Sequence, residues 1–292
     1  ADVNIANSSL TNNGKLGLYL TGGASTVSNC RFATGTIALQ SYSAAISLVD
    51  TSFSDFTNSN GPFWIRYSWP ELSGLKFNGN IFDGAFIEAA TITTSTAVIH
   101  KGFSYLLSNP TVSPSSTLII EAGAKIFFPK YGEMTINGAL DAQGAPDLPI
   151  TIAPFVSNAM WGHIYFNNSV STLRYMNISE GDVTNATTKG MIMANGSNLT
   201  IEGSKIWNSS QPGHIIYSAN SILNLKNSSF GNDIKFENKG IPGIFTTGID
   251  INGGGLFLEN DSFINLNFGI FGWGNPLPNL TIVNTPDSNF SN

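Results

Sequence analysis

The 292 residues carry a net charge of −6 and only 11% charged side chains, against roughly a quarter in an average globular chain. The lack of any basic cluster argues against nucleic-acid binding, because phosphate contacts need grouped Lys and Arg, and no apolar run reaches the ~18 residues of a membrane span. Polarity comes from Asn, Ser, Thr and Gly, while 41% hydrophobic residues and 20 Phe give the chain material for a core and remove it from the disordered class.

From the N-terminus, Ala1-Asp2-Val3-Asn4-Ile5 is already strand-like. No secretory signal opens the chain, and it stops as abruptly at Asn289-Phe290-Ser291-Asn292. A processed N-terminus and a piece of a longer polypeptide are therefore expected. One phrase then recurs: an alternating apolar strand, a polar step, then a short residue pair and an aromatic. Its copies are Val27-Ser28-Asn29-Cys30-Arg31-Phe32, Ile46-Ser47-Leu48-Val49-Asp50-Thr51-Ser52-Phe53, and the segments 199–206, 222–230 and 256–263. Neighbouring copies stand roughly 20 to 35 residues apart, the solenoid range. Alternation puts apolar side chains on one face of each strand. Asn, Gly, Ser and Asp mark the corners. No segment has the period and caps of an amphipathic helix. A single coil cannot bury its inner face, whereas stacked coils bury a continuous core. The expected fold is all-β, a right-handed parallel β-helix (single-stranded β-solenoid) with one domain over residues 1–292. About thirteen coils at ~4.8 Å each would make a rod of roughly 60 Å. The one cysteine, Cys30, rules out an internal disulfide and reads as a small buried hydrophobe.

Two segments are dense in aromatics, half-buried positions inside the rungs being the plain reading and an exposed contact loop the other. Phe63-Trp64-Ile65-Arg66-Tyr67-Ser68-Trp69-Pro70 is the denser, and Trp64, Tyr67 and Trp69 are its candidate contact residues for stacking on sugars or packing on another chain. Phe268-Gly269-Ile270-Phe271-Gly272-Trp273-Gly274 is the second.

The centre of the chain is the most specific part. A strand ending Ile120-Glu121-Ala122-Gly123 leads to Asn137-Gly138-Ala139-Leu140-Asp141-Ala142-Gln143-Gly144, then Pro149-Ile150-Thr151-Ile152, then Trp161-Gly162-His163-Ile164. This succession, over residues 112–182, resembles the pectin-lyase-like right-handed β-helix domains of large secreted surface proteins; the rest of the chain resembles them only as rungs. The motifs are structural: glycines turn corners where a Cβ would clash, and Trp161 reads as a core or corner filler. The family includes polysaccharide lyases, hydrolases, adhesins, surface-layer components and viral tailspikes, so the resemblance implies a fold and leaves the activity open.

Chemistry is sparse. The aspartate, Gly-His-Gly and Arg-Ile-Lys clusters of the sugar-cutting relatives have no counterpart here. His100, His163 and His214 stand apart and read as rung side chains. A glycosidase needs two carboxyl groups about 5–9.5 Å apart. The pairs that spacing offers are Glu180 with Asp182, Asp141 with Asp147, and Glu259 with Asp261; the competing reading is solvated corner acids, or an acid bonding backbone amides at a turn. Scattered acids do not make a calcium site, no Cys/His spacing fits zinc, and Gly253-Gly254-Gly255 lacks the Lys of a phosphate loop. No cofactor or metal is expected.

Asn-x-Ser/Thr sequons occur at Asn7, Asn167, Asn177, Asn185, Asn195, Asn198, Asn208, Asn227, Asn260, Asn279 and Asn289, all but one after residue 166. They are expected to carry N-glycans in an extracellular protein, although an Asn- and Ser-rich chain also makes such triplets by chance. The low-charge style resembles surface proteins of acid-living archaea and their viruses. Two readings follow. The first is a non-enzymatic extracellular β-helix on a cell or virion surface, a tailspike or adhesin. Its partners would be a cell-surface glycan or glycoprotein, or neighbouring surface or virion subunits, with a homotrimer among the assemblies a rod allows. The second is a polysaccharide lyase or glycoside hydrolase of the same fold.

Overall fold

A computed structural model describes residues 2–157, 159–181, 190–208, 213–232, 246–266, 268–274 and 277–283. Every regular element among them is a β-strand, and every strand-to-strand pairing is parallel. Each coil contributes a strand to each of three faces. The third face is one uninterrupted eleven-stranded sheet, from Leu16–Thr21 to Ser262–Ile264. The first and second faces are each four-stranded at the N-terminal end. Beyond it they merge into one fourteen-stranded path, because single strands such as Gly213–Lys226 bend around the corner between them. The chain is thus a parallel β-solenoid of about ten turns.

The expected thirteen coils were too many, and the register gives the reason. Early rungs step 20 to 24 residues, 21 from Ser25 to Ile46, 24 from Tyr42 to Arg66 and 20 from Gly84 to Ser104. Later ones step 30 residues from Thr135 to Tyr165, 28 from Ile164 to Ile192 and 33 from Ile216 to Ile249. Longer connections between faces, second to third before Ile150 and third to first before Ile164 and Thr246, lengthen these coils without adding rungs.

The core is built by stacking like on like. Phe32, Phe53 and Phe77 share one register on the second face, with ring centroids 5.3 and 5.6 Å apart and nearly parallel planes. Ile164, Ile192, Ile216, Ile249 and Ile270 form an aliphatic column in the same way. Trp161 is fully buried, stacked on Phe128 at 5.0 Å, and its indole N–H donates to the Ser179 carbonyl at 2.7 Å. Cys30 is buried in the core, as its sequence context predicts.

Corners are turned by residues in the left-handed region. Asn7, Asn29 and Asp50 have φ of 51°, 50° and 46°, and Gly74 follows at 63°. Asn227 and Asn260 repeat the device at 51° and 56°. Asparagine tolerates this conformation better than other side chains. Just past several corners an inward polar side chain caps a backbone amide one coil back. Ser197 Oγ accepts from Ser169 N and Ser221 Oγ from Ser197 N, both at 3.0 Å. On the next corner Ser204 accepts from Met176 N, Ser228 from Ser204 N, and Asp261 from Ser228 N at 2.8 Å. Buried amides that leave the sheet ladder are thereby satisfied.

Candidate functional site

Two outward-facing surfaces combine aromatic and polar groups. The first is on the third face, where Tyr19, Gln40, Trp64, Phe86, Leu106 and Phe127 occupy one register and Tyr42, Arg66 and Glu88 the next. Trp64 stacks on Phe86, centroids 5.5 Å apart, and its indole N–H donates to Glu88 Oε2 at 2.9 Å. The Arg66 guanidinium lies 5.0, 5.3 and 5.6 Å from the ring centres of Trp64, Tyr67 and Tyr42, and its Nε meets Glu88 Oε2 at 3.0 Å. Tyr42 and Tyr67 meet edge to face at 5.0 Å, and both rings are open to solvent, 40% and 45% exposed. A hydrogen bond with Tyr67 raises the Tyr42 phenol above its ordinary range. The pairing with Glu88 neutralises Arg66 and fixes it, leaving flat rings flanked by hydrogen-bonding groups.

Of the expected contact residues, Trp64 and Tyr67 meet here, while Trp69 is half-buried and packs against the core. Tyr42, Phe86 and Glu88 were not anticipated. Their signal is the coil period, since Arg66 lies 24 residues after Tyr42 and Glu88 lies 22 after Arg66. Leu106, next in the column, is covered although its register faces outward. Beside it, Phe82, Phe127 and Phe155 from three coils pack edge to face and extend the apolar surface.

The second surface is on the first face of the later coils. An open pocket of about 320 Å³ is lined by His163, Tyr165, Met193, Ala194, Asn195, Tyr217 and Ala219. His163 Nδ1 lies 3.6 Å from Glu133. Further along, His214 Nε2 lies 3.3 Å from Asp250, whose other oxygen accepts the Trp273 indole N–H at 2.7 Å. Burial holds both imidazoles below the ordinary histidine range, against the pull of Glu133 and Asp250 respectively. Asn137, Asn167 and Asn195 form an amide ladder along one wall, with Asn167 Nδ2 donating to Asn137 at 3.1 Å and Asn195 Nδ2 to Asn167 at 3.4 Å.

Two of the acid pairs suggested by spacing have members in different local settings. Asp141 bonds Gln143 at 2.7 Å and approaches Arg174, whereas Asp147 is exposed in the turn closed by Ala145 and Leu148. Glu259 pairs with Lys226 at 3.2 Å on the outside, while Asp261 is buried and accepts from the Ser228 and Glu259 amides. Burial raises the Asp261 carboxyl to about 6 despite those two amides. Glu180 holds a left-handed corner, φ 57°; Asp182 lies outside the described residues. The third histidine, His100, bonds Glu121 at 3.1 Å on another part of the surface. Among the described residues no cluster of His, Cys, Asp and Glu could hold a metal ion.

Among the sequons, Asn7, Asn177, Asn198, Asn227, Asn260 and Asn279 are exposed, Asn167, Asn195 and Asn208 are half-buried, and Asn185 and Asn289 lie outside the described residues. No protein-family model, no curated protein and no solved structure matches the chain.

Proposed function

We propose that this β-solenoid is a non-enzymatic extracellular attachment element, of the pectin-lyase-like kind used in adhesins and tailspikes, that contacts a carbohydrate or glycoprotein on a cell surface. The observation that carries this reading is the Tyr42, Trp64 and Tyr67 cluster around the Arg66–Glu88 pair. Rings of this kind present an apolar face with a polar rim, and they give large contact area at low entropic cost. Glycan binding by the purified chain, measured on an array of cell-surface glycans, is expected to fall about tenfold for Trp64→Ala, about 1.4 kcal/mol, and by a similar factor for Tyr67→Ala. Phe257→Ala, an outward ring on the second face, is the control and leaves binding intact. Equal binding by all four proteins refutes the assignment.

The second reading, a polysaccharide-cleaving enzyme, is favoured by the Asp250–His214 pair near Tyr217. The two carboxylates that line this face weaken it. Glu133 and Asp250 are four coils apart, about 19 Å at the strand spacing, too far for a paired-carboxylate hydrolysis. New reducing ends or unsaturated sugars in the same assay, lost in His214→Ala, would establish the enzyme instead.

A further inference from the structure

The fold treats the sequons unequally. At Asn167 and Asn195 the third residue of the triplet is an inward serine: Ser169 is 1% exposed and Ser197 4%. Both hydroxyls are committed. Ser197 Oγ caps the Ser169 amide and bonds the Asn195 carbonyl at 3.0 Å. Ser169 Oγ shares a 2.6 Å hydrogen bond with Ser171. The acceptor nitrogens are committed too, since each donates along the Asn137–Asn167–Asn195 ladder. At Asn7, Asn177, Asn198, Asn227, Asn260 and Asn279 the asparagine is exposed and the hydroxyl residue two positions on is half-buried or exposed. Asn198 is the acceptor in its contact with Asn224, and the Asn260 amide donates to Asn227 only at an exposed edge.

We infer that the folded chain has two classes of sequon: six exposed asparagines that accept an N-glycan, and two, Asn167 and Asn195, that the solenoid itself closes. The inference rests on the extracellular reading of the protein. In the transfer, the amide nitrogen bonds to the anomeric carbon of a lipid-linked sugar phosphate. The bond from that carbon to the phosphate oxygen breaks, the phosphate leaves with the electron pair, and the amide gives up one proton. The transferase must also reach the hydroxyl of the triplet. At Asn195 that requires withdrawing buried Ser197 and leaving the Ser169 amide without its acceptor, and at Asn167 withdrawing buried Ser169 from the Ser171 hydroxyl, both of which are costly.

The test uses the full chain made without glycans. It is offered, folded and after heat unfolding, to a single-subunit N-oligosaccharyltransferase with its lipid-linked donor. Occupancy is read by mass spectrometry of peptides. The six exposed sites are expected to be modified in both forms, and Asn167 and Asn195 at least tenfold more in the unfolded form. Modification of Asn167 or Asn195 in the folded chain at the rate of Asn198 overturns the inference, as does a folded chain that accepts nothing. Equal resistance of Asn167 and Asn195 in the unfolded chain also overturns it, since local sequence and not the fold would then be the cause. The reading on which it rests fails separately, if peptides from the natural source carry no glycan at any of the six exposed asparagines.

Discussion

Asp261 shows how one corner position sets a pH dependence. The same place on the two preceding coils is held by Ser204 and Ser228, each capping an amide one coil back. Asp261 does this work with a buried carboxylate, and burial raises it from 3.8 to about 6. The folded state therefore binds the proton more tightly than the unfolded state. The stabilisation is fully present below about pH 3.8 and is lost as pH rises through about 6. His163 and His214 act in the opposite sense. Their folded values are depressed, so their contribution is present above pH 6.5 and fades as pH falls. Substituting Asp261→Ser keeps an amide acceptor and removes the titration. Urea unfolding at pH 4 and pH 7.5 should show the variant losing about 1–2 kcal/mol relative to the parent at the acidic value. No change in the pH dependence between the two proteins would refute the assignment.

At the level of the rung, the fold was legible because its rules are local. Alternation gave the inward residues, and left-handed asparagines such as Asn29, Asn227 and Asn260 gave the corners. The coil count was not legible, since an insertion between faces resembles a skipped rung in sequence, as between Ile216 and Ile249. The aromatic surface was half legible. Trp64 and Tyr67 are neighbours in the chain, but Tyr42, Phe86 and Glu88 reach them only through register. Inward rings on the adjoining second face also stack from coil to coil. Phe53 is sandwiched between Phe32 and Phe77, fully buried. Phe53→Ala removes two stacked contacts and opens a cavity, and should cost about 3–5 kcal/mol. Calorimetry should register this as a lower melting temperature, and a loss under 1 kcal/mol would mean the coils close over the gap.

On the scale of the whole solenoid, its two ends have different characters. The aromatic column runs from Tyr19 to Phe127, while every sequon but Asn7 follows residue 166, so the proposed contact surface and most sequons occupy different lengths of the rod. The same one-dimensional order governs unfolding. Most contacts join adjacent coils, the Phe82–Phe155 contact across three coils being an exception, so stability is mainly a sum of local and nearest-neighbour terms. Near the middle Trp161 bridges successive coils, stacked on Phe128 and bonded to Ser179. Trp161→Ala should weaken that junction by about 3–5 kcal/mol and split denaturant unfolding into two transitions, one for each side. Phe263→Ala removes a stack on Phe230 in a late coil. It should loosen the coils on either side and leave one main transition. A single sharp transition in Trp161→Ala, displaced as a unit, would show that coupling extends well beyond adjacent coils and that the rod unfolds as one cooperative body.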